Sequence, residues 1–272
     1  MRHRLTLWVL ALASLLCVVF VQQASGLYVT NEPLTFFRPE RALVQAAERI
    51  HTEISGIKIF YISLNANAEG AFRDPANLQR LADIQAFIAK QQIFDRSLSL
   101  ADVVSQANQE AGGRRADAYR VPPTRKLVAQ YLLLHPPRDL EPYVSHDFRR
   151  ANIVVRHNVR DSSTLNHHVR ELRQAVGHFA GPDMATAVVG ENLLINAAAD
   201  RLLEGQAVAF AALLAVVFIV MSLMFTSVKG GFIALVPSVI PILVVLGVMR
   251  VLEIPINAGT IMVAVIAIGI AI

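Results

Sequence analysis

Glu191, Asn192, Asn196 and Asp200 are the residues of this 272-residue chain whose types and spacing could do chemistry together. Positions 192, 196 and 200 are four apart, so on a helix they share one face. Such a stripe could line a polar passage between the mixed-polarity segment before it and the apolar run after it. The alternative is an ordinary solvated helix face. His157, His167, His168 and His178 raise the question of a metal. Metal ligands usually come with supporting carboxylates and close spacing on one element, whereas His167 and His168 are adjacent on a helix and point in different directions. A solvated face explains them better. No GxSxG, HExxH or P-loop pattern is present, so hydrolase and ATPase readings lack support. No catalytic residue, no metal and no cofactor is expected, and the chain reads as a protein other than an enzyme.

The elements that hold these residues are set by hydropathy. With 54% hydrophobic and 17% charged residues, the chain is too apolar for an ordinary soluble domain. The excess lies in four runs, at residues 5–21, 207–228, 232–249 and 254–272. Crossing a bilayer takes roughly twenty apolar residues in a helix, so each run is a candidate span. The last run meets the end of the sequence with no polar residue to close it, which suggests a longer polypeptide cut within a span. The division expected is therefore 1–26 as a first helix, 27–206 as an outer domain, and 207–272 as helices two to four. Residues 5–21 follow Arg2, His3 and Arg4 and precede Ala24, Ser25 and Gly26, so a cleaved signal peptide is the alternative to a retained helix.

Within the runs, Cys17 lies in apolar surroundings, and the Leu16 before it argues against lipoprotein acylation. Pro237 and Pro241 each remove a backbone donor and should bend the third helix, as a hinge or as a fixed kink that helps packing. Gly259 and Gly269, ten apart, fall on roughly one helix face, where small residues allow close approach. No ionisable residue lies in 207–228, 232–249 or 254–272. The formal charge of +4 comes mostly from the flanks, including Arg2, Arg4, Lys229 and Arg250. Without a clustered basic face, nucleic acid is not an expected partner.

The segment 27–206 alternates element types. Residues 57–64 (IKIFYISL) read as a strand buried on both faces. Asp74-Pro75 starts a helix running to about Gln91, and Ser99 with Asp102 forms a capping box for a second, ended by Gly112-Gly113. Residues 125–134 are a third helix between proline pairs. A strand at 152–155, an amphipathic helix at 162–179 and a strand at 185–189 follow. Two β-α-β pieces flanking a helical insertion imply an α+β sandwich with helices on one face of a sheet. From about Asn192 one continuous helix should run into the second apolar stretch and tie the domain mechanically to it.

The ordered set NEPLTFFRPE, SLSLADVV, GENLLINAAADRLLEGQ, VPSVIPILVVLG and EIPINAGTIMVAVIAIGIAI resembles the resistance–nodulation–division (RND) superfamily, specifically its MMPL-like hydrophobe-exporter branch. The resemblance covers essentially the whole chain. It implies an α-helical transmembrane bundle with a ferredoxin-like, α+β porter domain in the periplasm. It also implies one of two fused halves, with the FF segment and the GIAI ending more like the second. Export of lipids or other hydrophobic substrates from a bacterial inner membrane, driven by the proton gradient, follows from the same resemblance. In such proteins a pair of acids comes directly after the GIA-type ending, a position beyond Ile272. The implied partners are membrane lipids, a lipid-like substrate, the other half of the same polypeptide and a second copy in a homo-oligomer. A SecD/SecF-like protein-export accessory and a sterol-sensing receptor without transport are the alternatives.

Arg2 and Arg4 before the first run, and Lys229 in the link at 227–231, place 27–206 outside by the positive-inside rule. In a Cys17→Ser background, a single cysteine placed at a water-accessible position within 27–206 should react with an impermeant thiol reagent on spheroplasts and Ser227→Cys should not. The reverse pattern would invert the topology.

Overall fold

The β-branched and aromatic run near residue 60 becomes the middle of a sheet in the computed structural model. The structure describes residues 30, 32, 34, 37–257, 259, 260, 262 and 263, with the side chains of 207, 210, 236–239, 241 and 242 excepted. The first apolar run with Cys17, and Gly269 in the last, lie outside the described residues. One compact unit spans Glu32–Ile195, and the described residues from Asn196 onward belong to a second.

β1 (Lys58–Ala66), β2 (Arg96–Leu98), β3 (Arg150–His157) and β4 (Met184–Val189) form one sheet in the order β2-β3-β1-β4. β3 and β4 both run antiparallel to β1, so they are parallel to each other with β1 between them. β2 is antiparallel to β3, which makes it parallel to β1 with β3 between. Each β-α-β unit is therefore split by one intervening strand, and the order is that of a ferredoxin-like sheet. The crossover helices are α2 (Pro75–Lys90) and α6 (Ser162–Ala180), after an earlier helix α1 (Ala42–Glu53). α3 (Leu100–Ala111), α4 (Arg125–Leu132) and the short α5 (Pro137–Leu140) make the insertion between β2 and β3.

Local chemistry fixes the ends of these helices. The Asp74 side chain accepts from the Ala76 N–H at 2.9 Å, with Pro75 at the first helical position. Ser99 and Asp102 form the expected capping box, and the Gln85 side chain of α2 donates to the Asp102 carboxylate at 2.6 Å. The insertion is thereby bonded to a core helix.

Burial alternates along the strands. Phe60, Ile62 and Leu64 of β1 and Ala151, Ile153 and Val155 of β3 are inaccessible, and Ile62 pairs with Ile153 across the ladder. Leu78, Leu81, Ile84 and Ile88 of α2 cover that face with Leu165, Val169, Leu172 and Val176 of α6. The other face is open, with Tyr61 38% exposed. The expectation that residues 57–64 are buried on both faces is corrected here. Both crossover helices lie on one side, and an antiparallel sheet can leave its other side to water. Two further elements, α1 and the three-residue β2, are additions to those expected from the sequence.

In the second unit, α7 (Glu191–Met224) and α8 (Val228–Val251) are joined by a tight turn. Ser227 caps α8 by accepting from the Gly230 N–H, so the link is shorter than 227–231 and Lys229 already lies in the helix. A side chain on Gly231 would strike the Ser222 hydroxyl, and Phe218 packs on Phe232 at 4.7 Å. α8 runs unbroken through Pro237 and Pro241. Beyond it, Asn257 and Thr260 cap each other reciprocally, each backbone N–H donating to the other's side chain at 2.9 Å, and Gly259 sits in the turn they open. Among the described residues α7 is long and apolar enough to cross a membrane, with a mean hydropathy of 2.8 in its most apolar stretch.

Because the core closes within Glu32–Ile195, that segment expressed alone should melt cooperatively with a mixed α/β circular dichroism spectrum. Ile153→Ala should cost it ~2–5 kcal/mol in urea titrations, as a buried large-to-small change does. A disordered spectrum would show that the core needs residues outside the segment.

Candidate functional site

His157 ends β3 directly opposite Lys58, which opens β1. Its ring is 0% exposed, with the Phe60 and Phe94 rings at 5.7 and 6.2 Å between centroids. The Val159 N–H donates to Nδ1 at 3.3 Å. The Asn192 side-chain amide lies 3.0 Å from Nε2. A neutral imidazole carries one donor and one acceptor, so with Nδ1 accepting, the proton is on Nε2. The Asn192 amide is placed with its Nδ2 toward this nitrogen, and turning the amide over to present its carbonyl oxygen gives the Nε2 proton an acceptor.

Asn192 reaches the ring because Gly190 lets the chain pass tightly over β1. A Cβ on Gly190 would sit 2.7 Å from the Phe60 Cβ. The first turn of α7 is thus hydrogen-bonded to the end of β3, wholly within the α/β unit.

Around the histidine stands a charge cluster whose inner pair, Lys58 and Glu32, is largely buried and whose outer pair, Arg160 and Glu48, is exposed. Lys58 Nζ donates to the Val159 carbonyl at 2.8 Å and lies 3.1 Å from Glu32 Oε2. Arg160 Nε is 4.0 Å from the same oxygen, and its Nη2 is 3.1 Å from Glu48 on α1. His51 Nδ1 lies 3.9 Å from Asp95 Oδ1 nearby. Burial pushes the Lys58 ammonium down from its ordinary pKa, and the Glu32 carboxylate opposes that. Burial, and next the positive charge of Lys58, push His157 down to about 4. The imidazole is therefore neutral at physiological pH, and its two hydrogen bonds need it so.

The sequence-derived residues divide. Glu191 is exposed, Asn192 and Asp200 are half-buried, and Asn196 is buried at 5% exposure. Of the histidines, His167 and His178 are exposed, and His167 and His168 flank Glu171 at 3.3 and 3.5 Å. His157 departs from the solvated reading. The signal was present: Ala151, Ile153, Val155 and His157 keep period two, so extending the strand by two residues turns His157 inward. By the same count Lys58 precedes inward Phe60, and a buried lysine requires an acid, here Glu32. Among the described residues no group of three or more His, Cys, Asp or Glu could hold a metal. Two hydrogen bonds on a dry neutral ring, without a nucleophile, suit positioning rather than bond-making.

Compared with known protein families, the chain matches the model of the MMPL family over residues 73–272. That stretch takes in His157 and Asn192 and begins after β1. No curated protein matches the chain.

The histidine sets a pH dependence. Its folded pKa, about 4, is below the ordinary value near 6.5, so between these limits the unfolded chain binds more protons. Stability should be full above pH 6.5 and fall as pH drops towards 4, by up to about 3 kcal/mol. In urea titrations of Glu32–Ile195, His157→Phe should remove most of this slope while leaving the acid losses below pH 4. An unchanged slope would show that the ring does not titrate in that window.

Proposed function

The chain belongs to the MMPL family, and on that premise we propose that it is part of a proton-gradient-driven RND-type exporter of lipid-like or otherwise hydrophobic substrates. Membership makes it a membrane protein of a transporter family. The finer reading places it in a bacterial inner membrane, with the α/β unit in the periplasm.

The observation that carries the proposal is the composition of α7. It is one helix of 34 residues with carboxylates and amides in its first turns and no charge beyond Glu204. Its polar start is bonded to β3 through Asn192 and His157, and its remainder is the apolar stretch suited to a bilayer. An exporter of hydrophobic molecules must move cargo from an oily to an aqueous setting, and such a helix offers both along one axis. Glu191, Asn192, Asn196 and Asp200 then line the start of the substrate path. Pro237, Pro241, Gly259 and Gly269 serve helix packing or hinge motion in the remaining spans.

Proton carriage needs a titratable group at membrane depth, or a water path lined by one. The apolar runs 207–228, 232–249 and 254–272 contain none, so the proton-carrying acids belong to other segments of the transporter. Membrane lipids, the other half of the polypeptide and further copies of it are the partners this reading implies.

In proteoliposomes, the transporter that contains this chain should move a fluorescent lipid-like probe only under a proton gradient, and a protonophore should stop it. Asn196→Leu should slow transport about three- to tenfold, the equivalent of one buried hydrogen bond. Probe binding without gradient-dependent movement would instead favour a receptor.

A further inference from the structure

The helical insertion contains a cleft that the transport reading does not use. It has a volume of about 510 Å³ and lies between α4, α5 and the segment leading to β3. Its floor is apolar: Leu132, Leu140 and Val144 are buried, and Phe148 is half-buried. Leu133 also lines it and is 85% exposed, so apolar surface continues from the floor into solvent. An apolar cavity that opens to solvent with a few polar groups at its rim is a candidate binding site.

One cation faces this floor. The Arg73 guanidinium lies 4.2 Å from the centroid of the Phe148 ring. Among the described residues it has no carboxylate partner, in contrast with Arg80 and Arg149, which meet Asp183, Asp147 and Glu69. Stacking on an aromatic face holds the fork in place without using its in-plane donors. Those donors match a carboxylate in a bidentate geometry. The acid among the lining residues, Glu141, is exposed and makes no ion pair with Arg73 among the described residues.

We propose that this cleft binds a single-chain amphiphilic carboxylate, with its head on Arg73 and its chain along Leu132, Leu140, Val144 and Phe148. The head group follows from charge complementarity, since the exposed Arg73 fork is held on Phe148 at the rim with its in-plane donors turned to a ligand or to water. The single chain follows from volume. A methylene takes up about the ~30 Å³ of a liquid water, so the cleft holds on the order of fifteen to twenty such groups, too few for a two-chain phospholipid. Leu133, at the mouth, covers the part of the chain that the floor does not.

The test uses the full chain in lipid nanodiscs and a decanoate carrying a mid-chain diazirine, with cross-links mapped by mass spectrometry. Saturable labelling within residues 129–148, competed by decanoate and not by decanol, is the expected result. Arg73→Gln should lower it at least about fivefold and Arg73→Lys less, because Lys keeps the charge but loses the fork. Leu133→Asp, at an exposed position where folding is not at risk, should lower it as well by setting a like charge at the mouth. Equal competition by decanol, or labelling indifferent to both Arg73→Gln and Leu133→Asp, would overturn the proposal. So would cross-links confined to α7 and α8, or competition by anionic nanodisc lipid in place of decanoate.

Discussion

β1 hydrogen-bonds along both edges and buries one of its faces, and the other elements of the α/β unit take their places from that asymmetry. With β3 on one side and β4 on the other, both antiparallel, each crossover must pass over a strand already in place. α2 and α6 make these crossovers over the same face, and their apolar stripes close on Phe60, Ile62 and Leu64. A one-residue slip in β1 would turn Tyr61 and Ser63 inward and the three large residues out, so the register is held by the whole core. The insertion runs from the edge strand β2 to the inner strand β3 and adds Leu100, Val104, Val128 and Leu132 to the core.

The same alternation brings polar groups inside at the end of the sheet. Carried to the ends of β1 and β3, it delivers Lys58 and His157 to inward positions where water is scarce. Each has a different remedy. The lysine keeps its charge by pairing with Glu32, whereas the imidazole gives up its proton and makes two neutral hydrogen bonds. The two remedies support each other, because the Lys58 charge adds to the cost of protonating His157. Lys58 and His157 also engage both backbone polar groups of one residue, the carbonyl and the N–H of Val159. This fixes the loop that leads into α6.

α7 shows how far one helix can change character along its length. Its opening residues are held by a side-chain bond to the sheet, and its later residues are apolar apart from Ser222, which suits a membrane or another apolar helix. Its turn into α8 depends on close approach, with Gly231 against Ser222 and the Phe218 and Phe232 rings in contact. In lipid there is no hydrophobic drive between helices, so fit of this kind decides their packing. In the MMPL family setting, a helix of two characters gives the membrane part and the α/β part a shared element.

Where the controlling physics is local, the sequence was sufficient. Asp74-Pro75 and the Ser99–Asp102 box act within one helical turn, and both helix starts fell where they were expected. The unbroken helix from residue 191 was legible because no breaker interrupts GENLLINAAADRLLEGQ. The RND and MMPL resemblance rested on the order of several segments, which sequence preserves. Pairings distant along the chain were decided by tertiary structure. That residues 57–64 bury one face follows from both crossovers lying on one side, which no local pattern records. Arg73 meets Phe148 across seventy-five residues and Lys58 meets Val159 across a hundred and one, each joined by chain reversal through the sheet. The state of His157 depends on which neighbours exclude water from it, and burial is a property of the assembled core. The sequence determined which residues could hold a charge or a hydrogen bond; the fold decided which of them lost water and so had to find a partner.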